Sequence, residues 1–199
     1  MKKSKCGTSI VEAMIVMLIV IIGVVGIYSI FTSSQKLSIT TQNRLTAISI
    51  AQEGIEALTN IRDTNWLIFA ANKTNCWNTF NYNSNCIISD VDIASGSYIV
   101  SQNSNNRWIL SGATTGNYSD TNYKNDFRVN YDTNGFFTQS GGTNFLPLFT
   151  REIKISYPDD TGTPPQKMNI SSIVRWTDSS KNDAFEVNLE TTLTNWQKD

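Results

Sequence analysis

Histidine is absent from this sequence of 199 residues. Without imidazole, the chain cannot form a Ser-His-Asp triad, a His-ligated metal site or a His-based proton shuttle. The sequence also lacks the phosphate-binding pattern GxxxxGK and the nucleophile motif GxSxG. We therefore predict no catalytic residues, no metal site and no cofactor, and we do not expect an enzyme.

Net charge is nearly absent as well. The chain has 16 Lys and Arg residues against 17 Asp and Glu residues. Proteins that bind nucleic acid through its phosphates usually carry a clearly basic domain or patch. Bulk charge therefore does not predict a nucleic-acid partner for this chain.

Charged residues are also missing from a long segment near the N-terminus. The stretch from Ala13 to Phe31 is almost entirely apolar and contains no Asp, Glu, Lys or Arg. As a helix it would span roughly 28 Å, close to the hydrocarbon thickness of a bilayer. A helix in a soluble core needs only one apolar stripe, so the sequence predicts a membrane-spanning helix here.

The residues before this segment indicate its orientation and its processing. Lys2, Lys3 and Lys5 precede it, and the positive-inside rule then keeps this end in the cytoplasm while the rest of the chain is exported. An ordinary secretory signal has its small-residue cleavage site after the apolar region. Here Gly7 lies before it, which predicts a cytoplasmic cut that leaves the apolar helix on the mature protein.

Glu12 is the one acid inside the apolar region. A carboxylate within a bilayer helix costs a few kcal/mol and usually has a partner or a role. Cleavage after Gly7 would create a new amine on Thr8, one helical turn away. We hypothesise that this amine and Glu12 of a neighbouring subunit neutralise each other. The alternative is a boundary acid that reaches the headgroup region.

The segment from Gly7 to Glu12, followed by the apolar helix, resembles the N-terminal signal of type IV prepilins and pseudopilins. The resemblance implies cleavage between Gly7 and Thr8 by a prepilin peptidase, N-methylation of Thr8, and a role for Glu12 in assembly. Family members usually have Phe or Met directly after the cut, so Thr8 departs from the pattern of the major pilins. The segment Ala51 to Trp66 is similar to the helix end of minor, pilus-modification-type pilins.

This resemblance implies a structural subunit of a type IV pilus or a related pseudopilus. Its expected partners are other pilin subunits, the prepilin peptidase, an inner-membrane assembly platform and, before assembly, membrane lipid. The protein would be a single-pass inner-membrane protein with an exported C-terminal domain, and extracellular once assembled. The alternative is a membrane-anchored or secreted binding domain whose apolar run serves only as anchor or signal.

The helix is expected to continue beyond the membrane. Apolar residues recur at helical spacing in a stripe that begins at Leu45 and ends at Ile61, and no proline occurs between Thr32 and Ile61. We predict one continuous helix from about Ser9 to about Arg62. The predicted organisation is a leader at 1–7, a transmembrane half at 8–31, an amphipathic half at 32–62 and an exported domain at 63–199.

The exported domain changes to a two-residue period, which predicts strands. Alternating apolar residues are clearest in the segments 97–101, 107–110, 127–131, 149–157, 169–176 and 185–193. An antiparallel sheet with one apolar face needs a cover, and the stripe on the long helix can provide it. The predicted fold class is therefore α+β, with about four antiparallel strands packed on the helix, and the resemblance implies the pilin fold.

Two of the three cysteines, Cys76 and Cys86, belong to the predicted exported domain, whereas Cys6 lies in the leader. An even number of cysteines in an oxidising compartment favours a disulfide. We predict a Cys76–Cys86 bridge, and the alternative is a pair of free buried cysteines.

Overall fold

A computed structural model describes residues 9–89, 91–113, 116–132, 137–144, 149–158, 165–177 and 184–197. The chain divides into two compact units, Met1–Asn43 and Arg44–Asp199. It has one long N-terminal helix and a five-stranded antiparallel sheet. This confirms the predicted α+β class.

The helix α1 runs from Ile10 to Ile68 without a break (Ile10–Ile68, 59 residues). It extends past Arg62, where the sequence predicts its end. The polar residues after Arg62 do not terminate the helix, because Asn65 and Trp66 lie on its buried side. Asn65 Nδ2 donates hydrogen bonds to the carbonyl oxygens of Trp77 and Thr79, both at 3.2 Å, so this asparagine packs inside the fold.

The main sheet has the strand order β2-β1-β6-β7-β8, and all four strand pairs are antiparallel. The strands are β1 (Gly96–Gln102), β2 (Trp108–Gly112), β6 (Phe149–Ser156), β7 (Lys167–Thr177) and β8 (Ala184–Thr194). Five strands join where the sequence predicts about four. The reason is that the β1–β2 hairpin attaches to β6 through the pairing of Gly96–Tyr98 with Ile153–Ile155.

The remaining elements are short. A second sheet has the order β4-β3-β5 and consists of β3 (Asn130–Tyr131), β4 (Phe137–Thr138) and β5 (Thr143–Asn144). Two short helices, α2 (Lys73–Cys76) and α3 (Thr121–Asp126), and two 3₁₀ turns, Phe80–Tyr82 and Ser84–Ile87, complete the described elements. Residues 127–129 bind the first half of β6, because Arg151 N donates to Phe127 O and Val129 N donates to Phe149 O.

The core lies between the second half of α1 and one face of the main sheet. Two clusters of buried side chains fill it. One cluster is formed by Ala57, Leu58, Ile61, Trp66, Trp77, Ile93, Tyr98, Val100, Leu110, Ile153, Ile155, Met168, Ile170 and Leu193. The other is formed by Ala47, Ile50, Ala51, Val129, Phe149, Val174 and Trp176.

The buried face of α1 differs in part from the predicted stripe. Ala51, Leu58 and Ile61 of the stripe are buried as predicted. Leu45 is 61% exposed, whereas Ala47, which the stripe omitted, is fully buried. The buried face therefore combines the small residues Ala47, Ala51 and Gly54 with larger ones such as Ile50 and Leu58. Ile48 and Ile55 lie half-buried at its edges. This arrangement lets the helix axis approach the sheet closely, since short side chains occupy the space between them.

Candidate functional site

The apolar part of α1 is the first candidate site. Its most apolar window has a mean hydropathy of 3.0, and none of that window is buried by the rest of the chain. Every large apolar side chain from Ile10 to Phe31 is exposed. The segment is long and apolar enough to cross a membrane, which agrees with a single-pass anchor and equally with a signal sequence.

Glu12 lies in the first turn of α1, and its side chain is exposed. Its backbone nitrogen donates to the carbonyl oxygen of Ser9 at 3.0 Å, so the helix is already formed at this point. The predicted cleavage and methylation residues, Gly7 and Thr8, lie outside the described residues. The cleavage, the methylation and the assembly role of Glu12 therefore stay predictions.

Cys76 and Cys86 form a disulfide, with their Cα atoms 5.3 Å apart. The predicted pairing of these cysteines therefore agrees with the structure. Both sulfurs are buried and pack with Phe69, directly after α1, and with Val91. The bridge thus fixes the loop that follows the helix against the helix end.

A fully buried arginine is the most unusual feature of the core. Arg151 on β6 is 0% exposed and pairs with Glu53 of α1, with 2.7 Å between Nη1 and Oε1. Its remaining donors reach Gln139 Oε1 at 3.1 Å and the carbonyl oxygens of Ile50 and Val100 at 3.3 Å each. One side chain therefore joins α1, β1 and the segment after β4.

Gln139 completes this site. Its Oε1 also accepts from Val100 N at 3.2 Å, and its Nε2 donates to the carbonyl oxygens of Phe127 and Arg151 at 3.1 and 2.6 Å. Burial lowers the pKa of the Arg151 guanidinium, and the nearby Glu53 carboxylate opposes this shift. A buried charge is stable only when its donors find partners, and here the surrounding oxygens provide them.

Gly54, next to Glu53, lies at the closest approach of α1 to the sheet. A Cβ atom added here would lie 2.6 Å from Ser172 Oγ and 2.7 Å from Ile153 Cδ1. Real Cβ contacts are not that short, so only glycine fits without a shift of the neighbours. Glycine weakens a helix interior by about 1 kcal/mol relative to alanine, and the packing of the ion pair and its neighbours explains why it is present here.

A second charged cluster lies on the opposite face of the sheet. Glu152 accepts hydrogen bonds from Ser97 Oγ at 2.6 Å, from Tyr123 Oη at 2.9 Å and from Arg175 Nη1 at 3.0 Å. Arg175 Nε also donates to Glu186 Oε2 at 2.7 Å, and Arg175 Nη1 contacts Tyr123 Oη. The cluster attaches the α3 segment to strands β1, β6, β7 and β8.

The pKa values in this cluster follow its hydrogen bonds. Burial alone would raise the pKa of Glu152, but the bonds from Ser97, Tyr123 and Arg175 together outweigh burial and lower it. Burial, and then the adjacent Glu152 carboxylate, raise the pKa of the Tyr123 hydroxyl well above its usual value. Glu152 therefore stays ionised and accepts the hydrogen bond, while Tyr123 stays neutral and donates it. This bond holds α3 against the sheet.

Sequence reasoning missed both charged clusters, although one signal was present. Arg151 alternates in phase with Phe149, Ile153 and Ile155, so it belongs to the inward face of β6. A charged residue in phase with a buried set needs a buried partner. Glu53, which precedes Gly54 on α1, is that partner. No local pattern indicated the contact of Tyr123 with Glu152, because these residues are far apart in sequence.

Within the described ranges, no group of three or more Cys, Asp or Glu side chains is placed to hold a metal ion. Comparisons with family models, with curated proteins and with solved structures returned no match to this chain. The proposals below therefore rest on the residues and contacts of the chain itself.

Proposed function

We propose that this chain is a structural subunit of a type IV pilus or a related pseudopilus, of the minor type. The observation that carries the proposal is α1 itself. Within one uninterrupted helix, the first half exposes apolar side chains throughout and the second half is buried against a sheet. A helix of this length is far above the average of globular proteins and calls for a specific role.

The exposed apolar half supports a role in assembly. An unbroken apolar surface of this size is not stable in water, so it requires either lipid or other helices around it. Before assembly the membrane would supply the lipid. In a filament, copies of the same kind of helix would pack around one another, and Glu12 of one subunit would then lie near the Thr8 amine of the next.

The N-terminus of the mature protein tests the proposal. We expect protein isolated from its native host to begin at an N-methylated Thr8, as measured by intact mass and N-terminal peptide mass spectrometry. A chain that retains Met1 would contradict the proposal, and so would a chain cut beyond Phe31. Either result would favour the alternative, in which the apolar segment is only an anchor or a signal.

Glu12→Ala tests the assembly role. We expect this variant to insert in the membrane normally and to be lost from sheared filaments, because the proposed contact with the Thr8 amine needs the carboxylate. Glu56→Ala is the matched control, since Glu56 is an exposed acid further along the same helix. Glu12→Ala subunits recovered from filaments at the level of the Glu56→Ala control would remove the role of Glu12.

A further inference from the structure

The two outer strands of the main sheet, β2 and β8, differ in whether other residues form hydrogen bonds to their outer edges. An outer strand presents unpaired backbone N–H and C=O groups, which form a template for another strand. Proteins usually block such edges with short strands, prolines, lysines, bulges or a covering loop. One edge of this sheet is covered and the other is open.

The edge of β2 is covered by the loop that contains the disulfide. Asn81 Nδ2 donates to Leu110 O, and Leu110 N donates to Asn81 Oδ1, both at 2.8 Å. Tyr82 Oη donates to Trp108 O at 2.7 Å. The Asn81 side chain thus bonds to β2 as a neighbouring strand would. Asn81 and Tyr82 adopt positive φ angles of 48° and 61°, which typically cost about 1–3 kcal/mol each.

Among the residues that the structure describes, the edge of β8 has no comparable strand cover. All 11 residues, Ala184–Thr194, pair with β7 on the inner side. None of the strands in the described part of the chain pairs with the outer side. β8 is about twice as long as a typical strand, and its sequence contains no proline, glycine or lysine. Apart from the charges of Glu186 and Glu190, the usual protections of an outer strand are therefore missing from β8 itself.

The two faces of β8 define what could bind beside it. Phe185, Val187 and Leu189 point to the core side and are only half-buried, so an apolar margin extends along the edge. Glu186 and Glu190 are exposed on the other face, and β8 has no cationic residue of its own. Glu186 pairs with Arg175 through its Oε2, and Glu190 accepts hydrogen bonds through its Oε1, so a partner cation would approach the second oxygen of each carboxylate. A strand with alternating apolar and cationic residues would match both faces.

A second copy of β8 matches this edge less well. An antiparallel copy centred on Asn188 would place Glu186 of one chain directly opposite Glu190 of the other. Like charges in directly opposed positions destabilise a strand pair. The charge pattern therefore disfavours the register that pairs the two copies about Asn188, whereas a partner with cationic residues at these positions would be attracted in every register that aligns them with Glu186 and Glu190.

We propose that the outer edge of β8 is a docking site for an extended segment of another protein, in which apolar residues alternate with Lys or Arg. The segment adds to the sheet as a sixth strand. Backbone hydrogen bonds supply its affinity, and the pairing with Glu186 and Glu190 sets its register and selectivity. This proposal goes beyond the function proposed above and does not depend on it.

The test uses the full-length chain in detergent micelles and a capped peptide of alternating lysine and valine, about as long as β8. We expect saturable binding by calorimetry and slower amide hydrogen exchange in β8. A peptide of the same sequence, N-methylated along one edge so that it cannot bond to β8 on that side, is expected to bind at least tenfold more weakly. Glu190→Lys is expected to weaken the unmodified peptide about tenfold, whereas Glu56→Lys, the same charge change on α1, leaves it unchanged.

Three results would overturn the proposal. The first is equal binding of the unmodified peptide and of both N-methylated peptides, one methylated along each of its two edges. Strand pairing requires free amides on the edge that meets β8, so one of the two methylated peptides must bind more weakly. The second is binding without slower exchange in β8, which would locate the peptide elsewhere. The third is protection of β8 that grows with protein concentration in the absence of peptide, which would make a second copy the occupant. The circular dichroism spectrum of Glu190→Lys verifies folding, and the peptide comparison does not need that variant.

Discussion

Replacing Glu53 by alanine tests the buried ion pair that attaches α1 to the sheet. Its partner Arg151 is 0% exposed, and the two side chains approach to 2.7 Å. Removing one member of a buried pair leaves an uncompensated charge and typically costs 3–5 kcal/mol. Because the Glu53 side chain is 24% exposed and water can reach the site, we expect the free energy of unfolding to fall by about 2–3 kcal/mol.

The measurement is urea unfolding of the full chain in detergent, followed by tryptophan fluorescence. Glu56→Ala is the control, because Glu56 lies on the same helix, is exposed and accepts a hydrogen bond from Gln52 at the surface. We expect the control to change stability by less than about 0.5 kcal/mol. A further variant, Arg151→Met, is expected to lose about 3–5 kcal/mol, since it removes the cation paired with Glu53 and one of the two donors to Gln139 Oε1.

The double variant of Glu53→Ala and Arg151→Met separates an interaction from two independent losses. If the pair interacts as described, the double variant loses less unfolding free energy than the sum of the two single losses. The reason is that the second change no longer leaves a buried charge without its partner. The reasoning is refuted if Glu53→Ala behaves like the Glu56→Ala control. It is equally refuted if the two single losses add within about 0.3–0.5 kcal/mol.

Three more predictions concern the unit from Arg44 onward. Gly54→Ala is expected to lower the free energy of unfolding by about 1–3 kcal/mol, because its Cβ would meet Ser172; a stabilised variant would contradict the close contact. The lowered pKa of Glu152 means that its share of stability is present above its unfolded pKa of ~4.3 and is lost as pH falls through its folded pKa. Glu152→Gln should therefore flatten the fall of unfolding free energy below about pH 4, and an unchanged acid slope would contradict this. Serine at both Cys76 and Cys86 should cost about 2–3 kcal/mol, and the reduced wild type should match that variant.

The long helix and the α+β class could be predicted because both depend on periodic patterns. An apolar run without charge and a three- to four-residue period identify α1, and alternation identifies the longest strands. The Cys76–Cys86 pairing followed from the small number of cysteines and from the expected compartment. These signals are local, so one sequence is enough to read them.

The packing of α1 could be predicted only in part. The predicted stripe correctly included Ala51, Leu58 and Ile61, which are buried. It also included Leu45, which is exposed, and it omitted the buried Ala47 and Gly54. Hydrophobicity alone favours large residues, but the distance between helix and sheet is set by the neighbours that already fill the space. Arg151 with its hydrogen bonds occupies part of it, and its presence there is a tertiary property.

The strand count and the charged clusters could not be predicted for a related reason. The number of strands depended on whether the β1–β2 hairpin joins β6, which is a long-range pairing. The contacts of Glu152 with Tyr123 and Ser97 likewise connect distant segments. Only the phase of Arg151 within β6 carried a local signal.

The burial of the second half of α1 has a practical consequence for producing this domain in solution. The exposed apolar segment Ile10 to Phe31 can be removed without touching the core, but the helix from Arg44 to Ile68 cannot, since it supplies buried residues to both core clusters. A shortened gene should therefore start before Arg44. The new helix end is also a suitable point to fuse a soluble carrier helix, which would keep the first turns of the shortened helix formed.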